Sequence, residues 1–203
     1  MPETTAPAAQ ELISEILPGI HEAGNPYFDF IFGASDRART ELQKWMKRAS
    51  SEIFAERAVI LRMDDVVVGG FIAVNGEELD RCRRMDMTSL IMSGNRRYRE
   101  EISNRLNLVR DLFPRVNADE FYLSKLWVNP GRRGSGYSRT LMKNFVELGL
   151  KRGYRRFRLD VAVENRAALH LYEALGFKTI HESTVPNTPL RYASMAAEFE
   201  TQF

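Results

Sequence analysis

The residues best suited to chemistry form a glycine-rich loop that follows a strand-like stretch and leads directly into a helical pattern. Residues 128–138 read VNPGRRGSGYS, with three glycines and two arginines. A strand–loop–helix arrangement directs unpaired backbone N–H groups and the positive end of a helix dipole toward one point. Arginine adds planar, fork-shaped donors that match phosphate oxygens. The loop therefore predicts a binding site for a phosphate or pyrophosphate group.

The loop differs from two common nucleotide-binding patterns. No Gly-Lys-Ser/Thr occurs at the spacing that a Walker loop requires. Counted from Gly134 and Gly136, the third glycine of a dinucleotide fingerprint would fall at position 139, which is arginine. A glycine-rich stretch before a helix can also be only a turn. A second motif is needed to decide what the loop binds.

The second motif lies at residues 165–177, which read NRAALHLYEALGF. Together the two segments resemble the GNAT superfamily of N-acetyltransferases. Residues 133–138 match its phosphate-loop pattern Arg/Gln-x-x-Gly-x-Gly/Ala, with Ser138 in the last, small position. The second segment matches Asn-x-x-Ala-x-x-x-Tyr-x-x-x-Gly-Phe throughout. The resemblance covers residues 119–183, and the hairpin pattern at residues 58–74 is compatible with it.

The resemblance implies a reaction in which an acetyl or other acyl group passes directly from acetyl-CoA, a co-substrate, to a primary amine. The CoA pyrophosphate would lie on the amides of residues 133–138, and the pantetheine arm would pair along Leu126–Val128 within reach of Asn165. A backbone N–H near Leu126 or Trp127 would face the thioester carbonyl oxygen. The implied CoA-binding residues are Leu126, Trp127, Val128, Arg133, Gly134, Ser135, Gly136, Tyr137, Ser138 and Asn165.

The proton-transfer roles have two candidates. The resemblance implies that Tyr172 protonates the departing thiolate, and a phenol with a pKa near 10 can supply that proton; by its spacing alone the same residue is also compatible with a core tyrosine. Many relatives use a carboxylate on the strand before the phosphate loop as the general base. Period-2 alternation places Glu120, Tyr122 and Ser124 on one face of that strand. Glu120 is the candidate base, and a water relay to it or a base from the helical insert at residues 77–118 is equally open.

These motifs need strands and helices to position them. Apolar residues at helical spacing predict helices over residues 10–22, 35–50, 97–113, 137–151 and 165–175. Alternating or β-branched runs predict strands over residues 58–63, 66–74, 121–128, 156–163, 177–182 and 191–199. The resemblance arranges these elements as one GNAT-like α/β domain over residues 10–203, with a mixed, mostly antiparallel sheet flanked by helices. Residues 1–9 are expected to form a loose tail.

A helical insert at residues 77–118 precedes the central strand and is longer than the hairpin usual there in the superfamily. We expect it to cover the acceptor site. The charges of the insert do not decide which acceptor it covers. Glu77, Glu78 and Asp80 could attract an amine. Nine arginines between positions 81 and 115 could equally hold a carboxylate or phosphate.

Composition excludes several classes of protein. The 203 residues are 44% hydrophobic and 28% charged, as in globular domains. The single cysteine, Cys82, excludes an internal disulfide framework and a cysteine-based zinc site, and we assign no metal. It lies away from both motifs, so we expect no acyl-cysteine intermediate. No apolar run is long enough to cross a membrane, and residues 1–10 lack the pattern of a secretory signal peptide. A cytoplasmic protein is expected, and a homodimer is compatible with the sequence.

Two rival functions have to be considered, and the charge distribution suggests the first of them. Residues 131–158 carry nine basic side chains and one acidic one, whereas the whole chain has a net charge of +2. This patch could attract nucleic acid, but it coincides with the phosphate loop and lacks a neighbouring aromatic platform, so nucleic acid is disfavoured as a partner. The other rival is a non-catalytic CoA-binding or regulatory module, favoured only by the lack of an obvious base.

Overall fold

A mixed β-sheet runs through the centre of the protein in the computed structural model, which describes residues 4–7, 10–33 and 35–201. The strands are β1 (Thr4–Pro7), β2 (Ala58–Met63), β3 (Val66–Asn75), β4 (Glu120–Val128), β5 (Arg156–Ala162), β6 (Lys178–Thr184) and β7 (Arg191–Glu198). The helices are α1 (Ile13–Gly24), α2 (Tyr27–Phe32), α3 (Ser35–Met46), α4 (Gly76–Met92), α5 (Arg96–Val109), α6 (Tyr137–Lys151) and α7 (Arg166–Ala174).

The strands follow the order β1-β2-β3-β4-β5-β7-β6. All neighbouring pairs are antiparallel except β4 and β5, which run parallel and are joined through α6. Helices cover both faces. One apolar layer joins the sheet to α6 and α7, and the other joins it to α1–α5. The predicted α/β fold with a mixed, mostly antiparallel sheet is confirmed.

Helix α6 illustrates how the sequence forms these elements. Its buried side chains, Leu141, Met142, Phe145 and Val146, recur at helical spacing and pack on the sheet. The helix begins directly after the phosphate loop and ends near Gly153, whose φ of +88° permits a left-handed turn. The predicted bounds of this helix agree with the structure.

The N-terminal segment differs from the expected loose tail. Thr4–Pro7 pairs antiparallel with β2, from Thr4 opposite Arg62 to Pro7 opposite Val59. The outer edge of β2 presents unpaired backbone groups, and an extended segment can satisfy them whatever its side chains are. Sequence patterning therefore gives little indication of this strand. Residues 1–3, 8 and 9 lie outside the described residues.

The sheet opens where β4 and β5 separate. Their parallel pairing runs from Glu120 opposite Arg156 to Leu123 opposite Leu159, and in the described part of the chain no strand pairs with this edge of β4 further on. The register between β3 and β4 also shifts, since Ala73 faces Leu123 whereas Ile72 faces Lys125. The extra residue, Ser124, forms a bulge that bends β4. The bend and the separation open a gap in the sheet.

Candidate active site

The first of two large cavities at the gap has a volume of about 470 Å³. It extends from the unpaired edge of β4 to the start of α6 and along α7 as far as Tyr172. Its lining contains the predicted residues Leu126, Trp127, Val128, Arg133, Gly134, Gly136, Tyr137, Ser138, Asn165 and Tyr172. The structure therefore brings the two sequence motifs together around one cavity, named here the cofactor cavity. Of the predicted set, Ser135 is exposed in the same loop but does not line it.

The phosphate loop has the backbone that an anion cradle requires. Gly134 and Gly136 have φ values of +80° and +82°, in the left-handed region where a side chain is strained. The space beside both is open, since a Cβ placed on either glycine would have no atom within 4 Å. Helix α6 starts at Tyr137, so its unpaired N–H groups and dipole face the loop. These features fit a pyrophosphate.

Arg133 is engaged by a helix on the other side of the cavity. Its guanidinium donates to both carboxylate oxygens of Glu22 at 2.7 Å, and its Nε donates to the Val128 carbonyl at 3.1 Å. Glu22 lies on α1 and lines the same cavity. Both side chains are about half exposed, so the pair is a weak surface contact that a phosphate can displace.

At the unpaired edge of β4, the strand presents its backbone to a ligand, and its largest side chain, that of Trp127, is covered. Trp127 is buried, and Gly19 of α1 packs directly against it, since a Cβ at Gly19 would lie 2.1 Å from the indole Cδ1. This close approach brings α1 over the strand. The backbone of Leu126–Val128 remains available to an extended ligand.

Tyr172 lies on α7, and Asn165 lies immediately before the first residue of that helix. The Asn165 side chain accepts from the Ala168 N–H at 3.2 Å and caps the helix. Tyr172 is 7% exposed, and its hydroxyl has no hydrogen-bond partner among the described residues. Burial raises the pKa of this phenol well above its usual value. The hydroxyl therefore keeps its proton at neutral pH.

A second cavity, of about 410 Å³, lies on the α1–α5 side of the sheet and is named here the acceptor cavity. The helical insert contributes Arg83, Asp86, Met87, Leu106, Asn107, Val109, Arg110 and Phe113 to its lining. Aromatic side chains from elsewhere line it as well: Tyr27, Phe28, Trp45, Tyr122 and Tyr192.

A small cavity of about 80 Å³ lies in the gap between β4 and β5 and shares lining residues with both large ones. Tyr172 and Leu126 line both it and the cofactor cavity. Asp160 and Lys125 line both it and the acceptor cavity. A group entering from one side can therefore meet a group entering from the other at this gap.

A buried polar network forms the floor of the acceptor cavity. Burial disfavours the charged form of Glu52, but Arg83, Lys125 and the Ser124 hydroxyl more than offset this and lower its pKa to about 2. Burial lowers the pKa of Lys125, and the nearby Arg83 adds to this effect while Glu52 opposes it. Glu52 therefore remains an ion-paired carboxylate at neutral pH, unsuited to accept a proton.

The gap also contains a carboxylate that the sequence motifs did not indicate, that of Asp160. It lies on β5, where its Oδ2 accepts from the Tyr122 hydroxyl at 2.9 Å, and its other oxygen accepts from Ser194. Both partners are hydroxyls, and no cation pairs with it directly among the described residues. The one sequence signal for it is the alternation in residues 156–163, where Asp160 stands between the apolar residues Leu159 and Val161.

The structure places Glu120, the predicted base, away from both cavities. It is 7% exposed, pairs with the buried Arg158 at 3.3 Å, and accepts from the Asn117 N–H at 2.6 Å. It lines neither large cavity. Tyr122 and Ser124 share its face, as alternation predicts, and they do line the acceptor cavity. Glu120 instead lies at the end of β4 where the pairing with β5 is intact.

The three acids at the start of the insert do not reach the acceptor cavity. Glu78 pairs with Arg57, and Asp80 lies 3.5 Å from Arg115. Glu77 is exposed near the N-terminus of α4, where a carboxylate interacts favourably with the helix dipole. Their pattern is explained by helix formation and surface pairing. The attraction of an amine must come from other residues.

This fold and these two motifs are those of the GNAT class of acetyltransferases. A family model described as the acetyltransferase (GNAT) family matches residues 18–177, and the chain belongs to that family. Within the described residues, every helix is too short or too polar to cross a membrane.

Relatives with known activities match part of the chain. Thialysine N-epsilon-acetyltransferase of Mus musculus is 37% identical over 62 residues, which is 30% of this chain and 36% of that enzyme. The ribosomal protein bS18-alanine N-acetyltransferase of Escherichia coli (strain K12) is 36% identical over 75 residues, 36% of this chain and 51% of that enzyme. The chain thus matches between about a third and a half of the length of these relatives.

The likeness in fold extends further than the likeness in sequence. The crystal structure of an N-acetyltransferase from Staphylococcus aureus Mu50 has a TM-score of 0.67 and 18% identity, over 96% of this chain and all of that one. The likeness in fold therefore spans nearly the whole chain.

Proposed function

We propose that the protein transfers an acetyl group from acetyl-CoA directly to a primary amine. The observation that carries this proposal is the meeting of the cofactor and acceptor cavities at one gap, with Tyr172 on one side and Asp160 on the other. Membership of the GNAT family supports it.

The cofactor cavity would hold acetyl-CoA, which supplies an activated thioester. Amides of the loop at 133–138 would bind its pyrophosphate, and Arg133 would exchange Glu22 for a phosphate oxygen. The backbone of Leu126–Val128 would pair with the pantetheine amides as a further strand would. A backbone N–H near Leu126 or Trp127 would donate to the thioester carbonyl oxygen and stabilise the negative charge that develops there.

Proton transfers in the gap would fall to two side chains. Asp160 accepts a proton from the incoming ammonium, directly or through one water, and the neutral amine nitrogen forms the new bond to the acetyl carbon. The carbon–sulfur bond breaks, and Tyr172 donates its proton to the departing thiolate. The Tyr122 and Ser194 hydroxyls hold the Asp160 carboxylate in position. The insert helices α4 and α5 would cover the acceptor.

A non-catalytic CoA-binding module is the alternative that must be tested. The only feature that favoured such a module is the lack of an obvious general base in the sequence, and Asp160 is a candidate for that base. Thiol release from acetyl-CoA in the presence of an amine panel, with the acetylated product measured by mass spectrometry, distinguishes the two functions. CoA-dependent thermal stabilisation without amine-dependent thiol release would favour the binding module. A cytoplasmic location and a homodimer remain predictions.

Replacing Gly136 by valine is expected to weaken acetyl-CoA binding by about 10- to 100-fold, because valine cannot adopt the left-handed φ that aims the loop amides. Titration calorimetry measures the affinity. Gly131→Val is the matched control, since Gly131 has no positive φ and faces open space. Unchanged affinity in a folded Gly136→Val protein would refute the assignment of this loop.

Replacing Glu22 by glutamine is expected to tighten acetyl-CoA binding by about two- to fivefold at low ionic strength, because it frees Arg133 and removes a negative charge from the cavity. The gain should shrink at high salt. Glu15→Gln, at an exposed site on the same helix, should leave the affinity unchanged. Weaker binding in Glu22→Gln would show that Glu22 instead positions Arg133.

A further inference from the structure

The acceptor cavity contains two cations that share one carboxylate. Arg83 Nε lies 3.1 Å from Glu52 Oε2, and Lys125 Nζ lies 3.6 Å from Glu52 Oε1. The three groups together carry a net charge of +1. The other charged groups lining the cavity are accounted for, since Asp86 pairs with Arg48 at 2.6 Å and Arg110 with Asp111 at 3.0 Å. Asp160 is therefore the charge that balances the cluster in the free protein.

The position of Asp160 connects it to this cluster. The Tyr122 hydroxyl donates to Asp160 at 2.9 Å and accepts from the Arg83 guanidinium at 3.0 Å. The carboxylate and the guanidinium thus lie on either side of a single hydroxyl. A ligand that contacts both must place a cationic and an anionic group close together.

The charge balance selects among classes of amine. When Asp160 receives the proton of an incoming ammonium, the cluster of Glu52, Arg83 and Lys125 keeps its net positive charge with no anion beside it. An uncompensated buried charge is costly. A carboxylate on the acceptor itself removes this cost, whereas a simple amine does not. A polyamine brings further cations, for which the described lining has no carboxylate, apart from Asp160, that is free of a cationic partner.

The apolar wall of the cavity indicates what kind of side chain the acceptor carries. Rings from three different parts of the chain pack against each other along its wall, with centroids 5.5 Å apart for Tyr27 and Phe113 and 5.0 Å apart for Phe113 and Tyr192. Met87 and Leu106 of the insert continue this apolar surface. An apolar or aromatic side chain gains contact area there, and a polar one does not.

We propose that the acceptor is an α-amino acid with an apolar or aromatic side chain. Its amine lies at Asp160, its carboxylate lies at Arg83 and Lys125, and its side chain lies on the aromatic wall. In an α-amino acid, one carbon separates the amine from the carboxylate. This short spacing suits Asp160 and Arg83, which are separated only by the Tyr122 hydroxyl. This proposal rests on the proposed function for its reaction, although the binding that it describes can be measured without any turnover.

Matched ligands test each group of the acceptor separately. The first set is phenylalanine, phenethylamine and 3-phenylpropionate, and the second is leucine, 3-methylbutylamine and 4-methylpentanoate. Affinity for the full-length, CoA-saturated protein is measured by calorimetry, and acetylation by mass spectrometry. In at least one set, the amino acid is expected to exceed the amine by about tenfold or more in kcat/KM and in affinity, as one charge-assisted contact would give. The acid of that set should bind and compete with the amino acid.

Variants show where the carboxylate binds. Lys125→Met should abolish the advantage of the amino acid over the matched amine, and Lys125→Arg should retain it. Lys143→Met is the control, since Lys143 is exposed on α6 and lines neither cavity. Acetyl-CoA affinity confirms that each variant is folded.

The outcomes separate this proposal from the proposed function. Equal affinity for amino acid and amine in both sets, no binding of any amino acid, or a preference for spermidine would overturn the proposal even if amines are acetylated. Tighter binding of the amino acid that depends on Lys125, with no acetylated product from any amine, would support the amino-acid site described here and refute acetyl transfer.

Discussion

Replacing Tyr172 by phenylalanine is expected to lower kcat by about 10²–10⁴, the usual loss when a general acid is removed. The ring remains, so its packing in the α6–α7 layer should persist. Because the hydroxyl has no hydrogen-bond partner among the described residues, its removal should change the free energy of unfolding little. Acetyl-CoA affinity should also stay near the parent value.

Rapid-quench kinetics with saturating acceptor measure the chemical step directly, so slow product release cannot conceal the loss. Tyr154→Phe is the matched control. Tyr154 stacks on Phe121 with ring centroids 5.2 Å apart, away from both large cavities. A Tyr172→Phe rate within about twofold of the parent would remove Tyr172 from the mechanism. A loss of stability with normal turnover would instead indicate a core tyrosine.

Replacing Asp160 by asparagine is expected to lower kcat/KM by about 10²–10⁴ at neutral pH, because the variant cannot accept the proton of the ammonium. The deficit should shrink as pH rises. Below the pKa of a free amine, which is near 10 for an alkyl amine, each pH unit raises the fraction already deprotonated about tenfold. The variant can use that fraction without a base, so its pH–rate profile should be steeper than that of the parent protein.

Two controls distinguish this role from a structural one. Ser194→Ala removes one hydroxyl that holds Asp160 and should cost far less activity than Asp160→Asn. Glu120→Gln removes the carboxylate that pairs with Arg158, so it should lower the unfolding temperature while leaving kcat/KM near the parent value. A deficit in Asp160→Asn that is constant with pH would exclude Asp160 as the base.

Much of the cofactor site could be predicted from the sequence because its requirements are local. The left-handed glycines, the start of α6 at Tyr137 and the cap at Asn165 each depend on residues within a few positions of one another. Apolar spacing gave the bounds of α6 and the existence of most strands for the same reason. The short strand β1 was missed because its formation depends on the edge of β2, which is distant in sequence.

The acceptor site could not be predicted in this way, because it combines Glu52, Arg83, Tyr122, Lys125 and Asp160, which come from separate elements. Alternation showed which face of β4 carries Glu120 and Tyr122. It could not show where along that face β5 separates from β4. Glu120 lies before that point and pairs with Arg158, whereas Asp160 lies beyond it and lines the gap. Local patterns in the sequence determine the cofactor loop and the order of the elements. Only the tertiary structure places Asp160 at the gap and sets the charge of the acceptor cavity, because both depend on which distant side chains folding brings together.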